Sequence, residues 1–353
     1  MITTTLTLQA QLLCASNAAY GITGTGKFAP QQPYYDAIGF VSSPVVLVAG
    51  EDDIDACLIG TTPQGVIVAF RGTIPPDIHD QQSLLDWFSD LTDEPVAVAG
   101  MPGKVHEGFW EGLNALWQPL VSEIKKQMDG AGTLPLYITG HSKGGAMSSL
   151  AAYRLNVEAG IEPAAVYTYA APHPGDTTFA KQYQQTILNH VRYEYGNDIV
   201  PHLVPDAAFI DAVAAIPDIG RFFKGMEQWD YCSVGNLQFI KWDKKTIVSS
   251  SFEVHAERLL ALAKVLLGCE FTAVVDAHTS ACGGGYMSAV CPTGVCPSTS
   301  LGTARSLAGL GEEQDSKVIR LPAAKKSPNV SRAEKNCLDS STVLEPNKTN
   351  VHK

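Results

Sequence analysis

The sequence predicts an α/β protein whose central sheet is mostly parallel and carries helices on both faces. Three observations predict it. Short apolar runs of strand length alternate with stretches of helical spacing, the pattern left by β-α-β crossovers. A glycine-bounded serine, Gly140-His141-Ser142-Lys143-Gly144, stands between one such run and one such stretch. The 353 residues, 45% of them hydrophobic, suffice for one large core.

Taken in order, the segment 1–24 has no Lys or Arg, the first being Lys27. It lacks the cationic start of a secretory leader and reads as a first helix. The setting this implies is the cytoplasm or export by a non-classical route. Strands are expected at Val45–Ala49, Ala56–Gly60, Val66–Phe70, Leu134–Thr139, Ala164–Ala170 and Val191–Tyr195, and helices at 106–128, 143–159 and 177–188. Tyr231–Val234 and Leu237–Trp242 flank Gly235-Asn236, which predicts a β-hairpin. A further helix is expected over about 252–267. Its apolar part, Leu259–Leu267, is interrupted by Lys264 and is shorter than the roughly 18 residues a membrane span needs. From residue 297 Ser, Thr, Lys, Glu, Asn and Pro dominate and aromatic residues vanish. Residues 1–296 are therefore expected to form one domain and 297–353 a disordered, solvated tail, with docking of the short Val318–Pro322 run on the body as the alternative.

The formal charge of −11 argues against nucleic acid as a partner, because an acidic surface repels the phosphate backbone. Eight cysteines are too few for a disulfide scaffold in a chain this long. Cys14, Cys57, Cys232 and Cys269 sit in apolar settings typical of buried thiols. Cys282, Cys291 and Cys296 are closer together and leave a local disulfide open, but their spacing is not that of a zinc site. No metal or organic cofactor is implied, and the oligomeric state is not legible.

The chemistry centres on Ser142. A serine at a sharp strand-to-helix turn is lifted above the sheet, and small residues two positions either side avoid a clash; Gly140 and Gly144 supply that space. The helix start aims the Lys143 N–H at a developing oxyanion. Serine needs an imidazole to take its proton and a carboxylate to orient that imidazole, and in an α/β-hydrolase both follow it in the chain. Asp198, in Gly196-Asn197-Asp198-Ile199-Val200-Pro201 just past a strand end, is the leading acid, with Asp206 and Asp211 as alternatives farther from the strand. Among the later histidines, His352 falls in the tail, His202 crowds Asp198 and His255 lies in a helical pattern. His278, in Val275-Asp276-Ala277-His278-Thr279, is the candidate base.

These motifs together resemble the class 3 lipases, the fungal-type triacylglycerol lipase family, over roughly residues 10 to 295. Val66-Ile67-Val68-Ala69-Phe70-Arg71-Gly72-Thr73 is similar to the family's strand ending in F-R-G-[ST], Asp86-Trp87-Phe88-Ser89-Asp90-Leu91 to its D-W-x-x-D-L, and Val105-His106-Glu107-Gly108-Phe109 to its V-H-x-G-F. The 140–145 turn, the acid loop, Tyr231–Gly235 and the His278 segment with Tyr286 then follow in order. The resemblance implies an α/β-hydrolase fold, a Ser142–His278–Asp198 triad, and Thr73 beside Lys143 in the oxyanion hole. It also implies a lipid or other ester as substrate, met at a lipid–water interface, and a mobile lid over 74–91 whose apolar residues include Leu84, Leu85, Trp87, Phe88 and Leu91. Arg71 is expected to tie loops together. The chain departs from the family at Lys143, where leucine is common, in an insertion over 206–228 expected to cap the site, and in the missing leader.

Overall fold

A computed structural model describes residues 6–22, 32–50, 54–73, 86, 89, 91–131, 134–196, 198–249, 254, 257–258, 271–280, 283–291 and 317–321. The chain divides into residues 1–323 and 324–353, and everything described belongs to the first. In chain order the helices are α1 (Leu8–Ala19), α2 (Gln32–Ile38), α3 (Glu107–Ala131), α4 (Lys143–Ala159), α5 (Thr177–Thr186), α6 (Ala207–Val213), α7 (Pro217–Phe223), α8 (Phe271–His278) and α9 (Gly285–Val290). The strands are β1 (Val45–Ala49), β2 (Asp55–Thr62), β3 (Gly65–Phe70), β4 (Pro95–Val96), β5 (Val105–His106), β6 (Leu136–His141), β7 (Ala165–Tyr169), β8 (Gly175–Asp176), β9 (His190–Tyr195), β10 (Tyr231–Cys232), β11 (Asn236–Ile240), β12 (Ile247–Ser249) and β13 (Val318–Arg320).

Nine strands form the main sheet in the order β12-β11-β9-β7-β6-β3-β2-β1-β13. Its centre, β3, β6, β7, β9 and β11, is parallel throughout, so these strands all end on one rim. Period-2 alternation splits the strand side chains between two cores. Leu47, Cys57, Ile59, Val66, Val68 and Phe70 pack against Leu113, Leu116, Trp117 and Leu120 of α3 and Met147 and Leu150 of α4. Val46, Val48, Leu58, Ile67 and Ala69 face Leu12, Leu13 and Cys14 of α1 and Tyr286, Met287 and Val290 of α9. The sheet is thus covered on both faces, as the crossover pattern demands.

Two expectations are corrected. Tyr231–Val234 and Leu237–Trp242 do not make a hairpin: β10 pairs with β8 in a second, four-stranded sheet, whereas β11 pairs with β9 and β12. Gly235, at φ +80° and pressed against the His190 ring, lets the chain step from one sheet to the other, and the hairpin lies one strand later, between β11 and β12. The segment expected to be solvated tail also contributes a strand. β13 pairs in parallel with the edge strand β1, whose open N–H and C=O groups would otherwise face solvent, and Ile319 and Leu321 pack on the core.

Candidate active site

Ser142 occupies the link between β6 and α4 at φ 58°, ψ −135°, a conformation L-residues rarely adopt and one concentrated at functional sites. The turn is possible only because its neighbours lack side chains. A Cβ on Gly140 would lie 2.2 Å from the Gly144 carbonyl oxygen, and one on Gly144 would lie 2.2 Å from that of Phe70. Gly72, just after β3, faces Ser142 Cβ so closely that an added methyl would come within 3.0 Å of it. Of the residues proposed to donate to an oxyanion, Lys143 directly follows the serine and Thr73 directly follows the Gly72 that faces it. The first N–H groups of α4 have no intrahelical acceptor and point along the positive end of the helix dipole.

Asp198 and His278 are 80 residues apart in the chain and meet in the fold. The His278 Nδ1–H lies 3.0 and 3.1 Å from the two carboxylate oxygens of Asp198, leaving Nε2 as the basic nitrogen. Both side chains are buried. Asp198 is held from two further directions: the Val200 N–H donates to Oδ1 at 3.0 Å and the Tyr286 hydroxyl to Oδ2 at 2.6 Å. The His278 ring centroid stands 4.6 Å from that of His141, the residue preceding Ser142. The alternative acid Asp206 instead caps α6 by accepting from the Phe209 N–H at 2.8 Å, and Asp211 lies on α6 beyond it. His202 is buried against Phe209, 3.4 Å from Arg258.

Several participants escaped sequence reasoning. His141 Nε2–H donates to the His278 carbonyl at 2.7 Å, so Nδ1 is the unprotonated nitrogen that the Tyr20 hydroxyl reaches at 2.8 Å. Burial, reinforced by the neighbouring His278, pushes the His141 imidazolium far below the usual range, in keeping with that neutral tautomer. Burial raises Tyr20, opposed by Arg71 and reinforced by the Asp198 charge. Tyr286 is likewise raised, by burial and then by the Asp198 charge, which keeps it a donor. No local spacing announces these contacts, because Tyr20 is 121 residues from His141 and Tyr286 is 88 from Asp198.

Lys143, the departure from the family pattern, turns its ammonium to Asp55 at 2.6 Å, both side chains about nine-tenths buried. Asp55 starts β2 and rests in the space left by Gly112 of α3, where a Cβ would come 2.5 Å from Oδ1. Arg71 behaves as expected, its guanidinium donating to the carbonyls of Ile22 and Ile54. Leu84, Leu85, Trp87 and Phe88 lie outside the described residues; Leu91 is buried. It packs in a cluster with Ile199, Val200, Phe209, Val213 and Phe223, so α6 and α7 of the 206–228 segment share a core with the exit of the acid loop. The Leu91 carbonyl accepts from His106 Nε2–H at 2.9 Å. Cys14, Cys57, Cys232 and Cys291 are free thiols; Cys269, Cys282 and Cys296 lie outside the described residues. Among the described residues no helix is long and apolar enough to cross a membrane.

The family Lipase (class 3) matches residues 67–208, which take in the end of β3, the Ser142 turn and Asp198. A lipase of Rhizomucor miehei is 33% identical over 154 residues, 42% of this chain and 40% of that protein. A secreted mono- and diacylglycerol lipase A of Penicillium cyclopium is 31% identical over 143 residues, 40% of this chain and 44% of the relative. The chain thus matches less than half the length of these relatives. Among solved structures, a deletion mutant of the Rhizomucor miehei lipase propeptide complex superposes with a TM-score of 0.51 at 24% identity, covering 69% of each chain. A mutant of Penicillium cyclopium MDLA gives 0.52 at 19% identity over 74% of this chain and 93% of that one. These likenesses show the α/β-hydrolase fold, and residues 67–208 of the chain are similar to the class 3 lipase family.

Proposed function

We propose that the chain is a serine carboxylester hydrolase of lipase type, cleaving acylglycerols or related lipid esters through an acyl-enzyme on Ser142. The observation that carries the reading is the buried His278–Asp198 pair set beside the strained serine turn. His278 Nε2 takes the hydroxyl proton as Ser142 attacks the ester carbonyl, and Asp198 stabilises the imidazolium that forms. The backbone N–H groups of Thr73 and Lys143 bind the oxyanion. The protonated imidazole then passes its proton to the leaving alcohol, and a water deprotonated by the same ring releases the acid. The match of residues 67–208 to the class 3 lipases and the named activities of the relatives support this reading.

The test is labelling by a fluorophosphonate probe. The wild type is expected to label and Ser142→Ala to remain unlabelled; an unlabelled wild type would instead point to a hydrolase-fold binding module. Rates on triolein, a phospholipid and p-nitrophenyl butyrate then rank acylglycerol against phospholipid and short-chain esters.

A further inference from the structure

The turn between β11 and β12 is locally basic in an acidic chain. Residues 241–246 read Lys-Trp-Asp-Lys-Lys-Thr, three lysines to one aspartate, in a protein of formal charge −11. The turn is built rigidly: the Lys241 N–H donates to the Thr246 carbonyl and the Lys244 N–H to that of Lys241, each at 2.9 Å. The Asp243 carboxylate is engaged within the turn, accepting from the N–H groups of Lys245 and Thr246 and from the Thr246 hydroxyl. Lys244 sits at φ 56°, where glycine would be less strained, so a cation is kept at a conformational cost. Lys241 meets Glu257 at 3.4 Å. Trp242 is 40% exposed, packs edge-on to Phe239 and lies against Gly196, where an added Cβ would be 3.2 Å from its ring.

Position gives these residues a purpose. Because β11 runs parallel to β9, with Ile240 beside Tyr195, the turn projects from the same rim as Asp198. It is also tied to both loops of the candidate pair. The Gly196 N–H, two residues before Asp198, donates to the Ile240 carbonyl at 3.0 Å, and the Lys244 ammonium reaches the carbonyl of Gly283, five residues after His278, at 3.0 Å.

We propose that the 241–246 turn docks this rim on an anionic phospholipid surface, with Trp242 seated at headgroup level and Lys244 and Lys245 paired with lipid phosphates. The inference rests on the lipid-ester reading for its purpose. An indole with one apolar and one polar edge, flanked by ammonium groups, suits the headgroup layer. Screening within about 8 Å at physiological salt lets this local patch act despite the chain's overall negative charge. Docking there would bring lipid to the side of the sheet on which the strands deliver Ser142 and Asp198.

Flotation of the full-length Ser142→Ala protein, which cannot consume the lipid, tests this with vesicles of phosphatidylcholine alone and with one third phosphatidylserine. Binding is expected only with phosphatidylserine, weakening as salt rises. Lys245→Gln should reduce it about fivefold and Lys244→Gln/Lys245→Gln about 25-fold, each lysine counting separately. In the Ser142-containing background Lys245→Gln should retain the parent rate on p-nitrophenyl butyrate. Equal partitioning of variant and parent, equal binding to both vesicle types, or no binding would overturn the proposal. Retained binding by a wild type that no fluorophosphonate labels would instead remove the hydrolase reading and leave the docking surface standing.

Discussion

At the scale of single residues, the proposed reaction depends on groups that hold Asp198 and the serine turn as much as on the proposed triad itself. Tyr286 donates to Asp198 at 2.6 Å in a fully buried setting, and a hydrogen bond to a charge is worth about 1.5–3 kcal/mol. Tyr286→Phe is therefore expected to lower kcat on a soluble ester by about tenfold to 100-fold with little change in KM. A drop confined to KM would assign Tyr286 to substrate binding instead. The Lys143–Asp55 pair makes a different demand. Removing one partner strands a buried charge and costs about 3–5 kcal/mol, whereas removing both can be neutral. Asp55→Leu and Lys143→Leu should each lower the urea midpoint, and the double variant should recover most of the loss; additive losses would show that the two side chains act separately. The serine turn and the pairing of Asp198 with His278 were legible because a motif, a strand end and chain order mark these residues locally. Tyr20, the tautomer of His141, the role of Tyr286 and the partner of Lys143 were not, since each is a contact across 88 or more residues.

At the scale of elements, hydrophobic periodicity located the main-sheet strands up to β9 and the helices α3, α4 and α5, because each presents a regular apolar face. It failed where an element owes its place to a neighbour. β10 and β11 flank a turn signal, yet Gly235 is there to clear His190 rather than to close a hairpin, and β13 exists because β1 offers it an edge. The 206–228 insertion was visible as an apolar stretch, but its contact with the acid loop was not. Phe209 of α6 is fully buried in the cluster that includes Ile199 and Val200, and Val200 holds Asp198 through its N–H. Phe209→Ala should cost about 3–5 kcal/mol of stability and also lower kcat on a soluble ester at temperatures where the variant is fully folded. Unchanged kcat in the folded variant would mean that α6 stabilises the fold without steadying Asp198.

At the scale of the whole molecule, the interior holds several histidines in the neutral form, and the balance between folded and unfolded states must respond to acid. Burial is the largest cause in each case: it lowers His106 to about 4 and His190 to about 3, aided there by Arg192, and His202 to about 3, aided by Arg258. In the unfolded chain all three titrate near the ordinary histidine value of 6.5. Between 6.5 and the folded values the unfolded state binds protons that the native state refuses, so stability is full above pH 6.5 and falls as pH drops. Each histidine contributes about 1.4 kcal/mol per pH unit in that window. Glu194 acts in the same sense at lower pH: burial raises it, but the guanidinium groups of Arg258 and Arg192 prevail and hold it at about 2. Its contribution, present above the ordinary carboxylate value of 4.5, is lost as pH falls from there toward 2. The urea midpoint should therefore stay level from pH 8 to 7 and decline steeply below pH 6.5. His190 is held by Thr168 at 3.0 Å and Tyr183 at 2.9 Å, bonds that a neutral amide can partly replace, so His190→Gln should flatten the slope between pH 6 and 4.5 by about 1.4 kcal/mol per unit whatever it does to stability at pH 8. A variant that loses the same stability at every pH would show that His190 binds its proton equally in the folded and unfolded chain, and the acid response would then belong to His106 and His202.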